Sequence, residues 1–188
     1  NYSQGALKYI FQTPNSNWGF VDGDSVTFGP LSDAVFAGSI FNNTATDLEL
    51  TTAWNVNAAY EHFWNPRWRT SLYGGYAQVS YDDAANGILC LGIGAGNGAN
   101  VGGVAVATPG CDMNWNTWWV GSRTQWNVTK DFYMGVDVLY QRLEGASTFN
   151  GLSTAGISSA PSPGVARFID TSADNFSVRF RVHRDFYP

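Results

Sequence analysis

Arg179, Arg181 and His183 recur at every second position of the closing stretch "NFSVRFRVHRDFYP", residues 175–188. Phe176, Val178, Phe180 and Val182 occupy the positions between them. Lys8 and Arg123 hold comparable polar positions in upstream stretches whose alternate residues are apolar. Cations fixed on one side of a wall draw anions towards it and orient dipolar solutes through the field they create. Glu49, Glu61 and Asp137 are the carboxylates available to neutralise them. Two readings therefore stand together: the basic groups filter what passes, or they pair with these carboxylates and brace the wall.

Catalytic chemistry finds little to work with. The histidines are His62 and His183, on different segments. There is no G-x-S-x-G elbow, no H-E-x-x-H and no paired-carboxylate motif. "GAGNGA" at 94–99 matches a dinucleotide fingerprint by composition only, because no helical period follows to receive a pyrophosphate. "DGD" at 22–24 lacks the ligand spacing of a calcium loop and reads as an exposed acidic turn. The N-x-S/T triplets at Asn42, Asn127 and Asn175 are discounted, since Asn127 and Asn175 lie in expected strands. The expectation is a protein that is not an enzyme and needs no metal or cofactor. Cys90 and Cys111 flank a Gly-rich stretch without the neighbouring His a zinc site needs. An even cysteine count in a loop-rich chain read as exported points to a disulfide, with free thiols as the alternative.

Composition narrows the class. Charged residues make up only 13% of the chain while aromatics reach 15%, against the ~25% charge of ordinary soluble domains. No run approaches the ~18 apolar residues of a spanning helix. Sparse charge, many aromatics and near-neutral mean hydropathy fit a transmembrane β-barrel, whose strands alternate lipid-facing apolar with lumen-facing polar residues. The net charge of −5 argues against a nucleic-acid partner. The chain opens on Asn1 with no Met and no leader pattern, so either a signal peptide has been removed or the segment belongs to a longer chain.

Period-two alternation marks the elements that position these residues. Strands are expected at about 4–12, 48–64, 69–82, 115–128, 132–145 and 175–187. The predicted apolar faces include Trp126, Phe132, Val136, Phe176 and Phe180, which would meet lipid. The predicted lumen faces carry Lys8, Glu61, Arg123, Asp137, Arg179, Arg181 and His183. Over 69–82 the facing is undecided: Leu72 and Tyr76 favour one phase, Ala77, Val79 and Tyr81 the other, and a bulge at Gly74-Gly75 would reconcile them. Very short turns at 65–67 and 129–131 alternate with long links at 13–47, 83–113 and 146–173, the layout of periplasmic turns and extracellular loops. Trp and Tyr near strand ends, such as Trp64 and Trp68, suit interfacial girdles.

"NVNAAYEHFWNPRWRTSLYGGYAQVSYD", "WWVGSRTQWNVTKDFYMGVDVLYQ" and "FSVRFRVHRDF" resemble the C-terminal portion of alphaproteobacterial outer-membrane porins. The resemblance spans about 48–145 and 174–187. It implies an all-β fold: about six meandering antiparallel strands, residues 1–188, of a 16-stranded transmembrane barrel. It implies a homotrimer in the bacterial outer membrane that passes small hydrophilic solutes by passive diffusion. The C-terminal strand would be read by the barrel assembly machinery. Family members end on an aromatic residue, whereas here Phe186 is followed by Tyr187 and Pro188. The N-terminal half, with the inward-folded third loop that narrows the family's pore, would lie outside this chain. The competing reading is a self-contained eight-stranded outer-membrane barrel acting as adhesin or anchor, with "SVTF" and "AVFAGSI" supplying two more strands. A secreted, glycan-binding β-sandwich is the third.

Overall fold

In the computed structural model, the described residues are 1–11, 18–22, 25–37, 47–92, 100–101, 104–105, 111–146 and 168–186. The chain runs β1 (Tyr2–Gln4), α1 (Lys8–Phe11), β2 (Trp18–Asp22), β3 (Ser25–Gly29), β4 (Ala34–Ala37), β5 (Asp47–Leu50), β6 (Thr52–Asn65) and β7 (Trp68–Ser80). It continues through α2 (Asp83–Gly92), β8 (Asn100–Val101), β9 (Val104–Ala105), β10 (Trp115–Thr129), β11 (Phe132–Glu144), β12 (Phe168–Ile169) and β13 (Ser172–Arg184). The main sheet has six strands in the order β1-β6-β7-β10-β11-β13, so every neighbour follows its predecessor along the sheet. The protein is all-β and predominantly antiparallel. No helix among the described residues is long and apolar enough to cross a membrane.

Alternation in sequence becomes two unlike faces. Every buried residue of the six strands is odd-numbered, among them Ala53, Val79, Trp115, Gln125, Asp137 and Leu143. Their large exposed hydrophobics are even-numbered, from Trp54 and Leu72 to Phe176 and Val182, with Phe63 the exception. The short turns preserve this parity. At 65–67, the Asn65 Oδ1 accepts the backbone N–H groups of Arg67 at 2.9 Å and Trp68 at 3.0 Å, an Asx turn that reverses the chain around Pro66. The β7 stretch keeps one phase throughout: Leu72 is exposed on the even side, while Ala77, Val79 and then Tyr81 are buried on the odd side.

The first of two compact units comprises residues 1–55, 77–117 and 143–173. Its core gathers Leu7, Ile10, Phe28, Leu31, Val35, Val79, Tyr81, Met113, Trp115 and Leu143. Much of 13–47, expected as an extracellular loop, is ordered here as strand. β3 pairs antiparallel with β2 and parallel with β12, and β4 pairs antiparallel with β5. Neither "SVTF" nor "AVFA" joins the six-stranded sheet, so they do not supply the extra pair that an eight-stranded barrel needs. The Pro30 carbonyl is a double anchor, accepting from the Tyr81 hydroxyl at 2.6 Å and the Trp115 indole N–H at 2.8 Å. Both donors are buried, and burial without a partner would cost each of them on the order of 1–3 kcal/mol.

The start of the chain departs from the expected strand over 4–12. β1 stops at Gln4, pairing Tyr2, Ser3 and Gln4 with Trp54, Ala53 and Thr52 of β6. Gly5 then takes φ +74°, a left-handed conformation that ends the strand. The Asp33 carboxylate accepts the Leu7 N–H at 2.7 Å, just ahead of α1. Leu7 and Ile10, three apart on one helical side, are buried, and Tyr9 is exposed. A strand would have set Leu7 and Tyr9 on one face; the helix separates them and buries the better pair. Lys8 therefore lies on a helix, with its ammonium 5.2 Å from the Tyr9 ring centre, and is not a residue of a sheet strand.

α2 is capped by Asp82, whose carboxylate accepts the Ala85 N–H at 2.7 Å. Cys90 and Cys111 are joined in a disulfide, with Cα atoms 6.0 Å apart, and Cys90 is part of the core. Asn86 fixes the far side of this link by accepting the Met113 N–H at 2.8 Å. At the other end of β11, Gly145 lies against strand β3, and a Cβ there would come within 2.5 Å of the Phe28 carbonyl oxygen. That same oxygen accepts the Ala146 N–H at 2.7 Å, so it cannot retreat without losing a bond.

Two outcomes follow from this packing. Gly145→Ala lowers the unfolding free energy by about 1–3 kcal/mol, the usual penalty for forcing a methyl into filled space, read as a lower urea midpoint in detergent. Reduction of Cys90–Cys111, which releases a loop constraint worth ~3 kcal/mol in the chain-entropy model, speeds proteolytic cleavage at α2 and leaves the β10–β11 hairpin resistant.

Candidate functional site

The second unit comprises residues 56–76, 118–142 and 174–188. Its odd face is polar, and Asp137 is at its centre. Asp137 lies on β11, between β10 and β13 in the sheet, and is 8% exposed. Its Oδ1 accepts the Arg123 Nε–H at 2.6 Å and its Oδ2 accepts the Arg181 Nη2–H at 3.2 Å. A carboxylate this buried requires such partners, because desolvation alone would oppose its charge. Two guanidiniums around one carboxylate leave a surplus of one positive charge. Both guanidiniums remain partly exposed, so they still act on the space beside the sheet.

A second polar group spans β6, β7 and β10. Arg69 donates to Gln125 Oε1 at 2.9 Å and lies 3.7 Å from Glu61, which also accepts from the Ser71 hydroxyl at 2.9 Å. Gln125 in turn donates its amide N–H to Asn127 Oδ1 at 2.8 Å. On β13, the His183 ring stacks on Tyr133 with centroids 5.0 Å apart, and its Nε2 is 2.8 Å from Asp185. Arg179 is exposed and has no ion-pair partner among the described residues. Aromatic rings from neighbouring strands lie over two glycines of this face. The Tyr73 ring occupies the space a side chain at Gly121 would need, and Trp119 does the same at Gly75.

The residues expected on the polar wall thus fall into distinct sets. Arg123, Asp137 and Arg181 meet in one ion network, Glu61 is engaged with Arg69, and His183 with Tyr133 and Asp185. Lys8 belongs to the first unit and joins none of them. Glu49, also in the first unit, pairs with no arginine among the described residues; its carboxyl is held above the usual range by a hydrogen bond and charge repulsion from Asp82, then by desolvation and by Asp47. Arg69 is the residue that reading the sequence missed. Its odd number, once the phase of β7 is settled, is the signal that would have found it.

The even face is of the opposite character. Trp68 and Trp126 stack with centroids 5.5 Å apart and planes 6° from parallel. With Met134, Val136 and Phe180 they line a shallow hollow of about 210 Å³. Phe176 and Phe180 are exposed, Val136 is exposed, and Phe132 is partly buried. Near the 65–67 turn, His62 packs edge-on against Trp64 at 4.4 Å and meets the Tyr60 hydroxyl at 3.3 Å. So continuous an apolar surface is foreign to a protein bathed in water on that side. Among the described residues, no three His, Cys, Asp or Glu side chains are grouped to hold a metal.

A family model described as the porin subfamily matches residues 1–164. No curated protein and no solved structure matches significantly. The match ends before β13, whose alternating faces and pairing to β11 rest on the structure itself. Matching well over half of the sequence and agreeing with the two-faced antiparallel sheet, the model shows that this chain belongs to the porin subfamily.

Proposed function

We propose that the chain forms wall of a passive diffusion channel for small hydrophilic solutes, with Arg123, Arg179 and Arg181 biasing passage towards anions. Membership of the porin subfamily carries the general statement, a porin-type channel of the bacterial outer membrane rather than an enzyme. The observation that supports selectivity is the network at Asp137, where one carboxylate faces two arginines while Arg179, two residues from Arg181, is exposed with no ion-pair partner among the described residues. Bracing and filtering are then the same arrangement. Asp137 orients Arg123 and Arg181, and the surplus charge acts on the lumen, where low-dielectric walls focus it.

On this reading the odd face meets water and the even face meets lipid. An arginine turned to lipid at mid-depth would cost about 2–4 kcal/mol, which fixes the orientation of β13. β13 is also an edge of the six-stranded sheet, and lipid does not tolerate unpaired backbone groups, so it requires a further partner strand in the membrane. The homotrimer and delivery by the barrel assembly machinery through β13 follow from the porin resemblance.

Selectivity is the test. In planar bilayers under a salt gradient, Arg179→Ala with Arg181→Ala in the full-length protein lowers the anion-to-cation permeability ratio about twofold or more. Asp137→Asn moves the reversal potential the other way. Unchanged reversal potentials in both variants contradict the proposed role of the arginines.

A further inference from the structure

Beside the Asp137 network, the second unit holds an open recess of about 500 Å³ next to the turns 65–67 and 129–131. Arg67, Arg69 and Lys130 line it together with Gln125, Asn127 and Tyr133. No carboxylate is among its lining residues. Neither Arg67 nor Lys130 has an ion-pair partner among the described residues. Glu61, the carboxylate beside Arg69, is engaged by Arg69 and the Ser71 hydroxyl. Asp131, the neighbour of Lys130 in its turn, does not line the recess.

Hydrogen bonds already engage the two side-chain amide oxygens of the recess. Gln125 Oε1 accepts the Arg69 Nη2–H, and Asn127 Oδ1 accepts the Gln125 Nε2–H. The Arg67 carbonyl accepts the Asn127 backbone N–H at 2.7 Å. What these side chains still offer are donors: the Arg67 guanidinium, the Lys130 ammonium, the Asn127 amide N–H groups and the Tyr133 hydroxyl. A concave surface of cations and spare donors is complementary to a tetrahedral oxyanion, and a planar guanidinium grips phosphate through paired bonds. Its volume is within the ~300–1,000 Å³ of small-molecule sites, enough for a phosphate carrying a small organic group.

We infer that this recess is a binding station for small phosphorylated solutes, with Arg67 and Lys130 as its phosphate ligands. That such a solute is cargo in transit rests on the channel reading; that the recess binds phosphate does not. The recess is lined chiefly by odd-numbered residues of the polar face, which favours a soluble anion over a lipid headgroup.

Inorganic phosphate is the probe, titrated onto the full-length protein in zwitterionic micelles and followed by phosphorus NMR line broadening. Arg67→Ala with Lys130→Ala weakens phosphate binding about fivefold or more, the loss expected for removing two solvent-screened charges. Arg142→Ala, which removes a charge paired with Asp174 outside the recess, leaves binding within about twofold, as expected of a screened surface charge. Phosphate also reduces chloride conductance in bilayers, and the double variant relieves that block. Equal phosphate binding by the wild-type and double-variant proteins, or none by the wild type, overturns the inference. Binding lost in the double variant from a protein that conducts no ions supports the site and contradicts the channel. Nanodiscs distinguish the sources: competition by phosphatidic acid assigns the same phosphate chemistry to a lipid headgroup, and its absence assigns it to a soluble solute.

Discussion

Asp137 holds Arg123 of β10 at 2.6 Å and Arg181 of β13 at 3.2 Å, and that three-strand contact exists only because a period of two is kept along all three strands. In an antiparallel pair with an even register sum, such as Tyr2 with Trp54, odd residues face odd and even face even. A slip of one residue in any strand would turn its charges to the apolar face. The turns at 65–67 and 129–131 are short enough to forbid such a slip. The Asn65 carboxamide, which holds two backbone N–H groups, is thus as important to the polar wall as the charges on it.

The same odd parity serves two purposes. In the first unit, odd residues such as Val79, Trp115 and Leu143 meet Phe28 and Leu31 and form a dry core. In the second, odd residues are arginine, glutamine, aspartate and histidine, held by one another. Strand propensity is alike in both; what differs is whether a segment of chain covers the face. Where β3 and the Pro30 turn cover it, the sequence must supply apolar groups and the glycine at 145 that admits close approach. Where nothing covers it among the described residues, polar side chains satisfy each other and the surrounding water.

Alternation made β10, β11 and β13 legible from sequence, because each has one consistently apolar side along most of its length. It failed at β7, where Ala77, Val79 and Tyr81 are apolar on the odd side as Leu72 and Tyr76 are on the even side. That stretch has one phase and two apolar faces, since its end is covered by the core. The helix α1 was hidden because Leu7, Tyr9 and Phe11 alternate as a strand would, and only the left-handed Gly5 and the distant Asp33 decide otherwise. The basic residues were visible as types, but their pairing was not. Whether Arg123 and Arg181 converge on Asp137 depends on the register of three strands, which no single stretch records. Likewise, the donors around Arg67 come from two turns that only the fold brings together. The stretch 94–99, with its nucleotide-like glycines, lies outside the described residues, as do Tyr187 and Pro188.

The central claim is that β13 separates water from lipid residue by residue. Single cysteines placed at Val178, Arg179, Phe180, Arg181 and Val182 of the full-length protein in liposomes test it directly, since Cys90 and Cys111 are already bridged. A membrane-impermeant thiol reagent should label the substituted 179 and 181 positions rapidly and those at 178, 180 and 182 slowly. Labelling that fails to alternate, or alternates in the opposite phase, would contradict the assignment of the arginine face to the lumen.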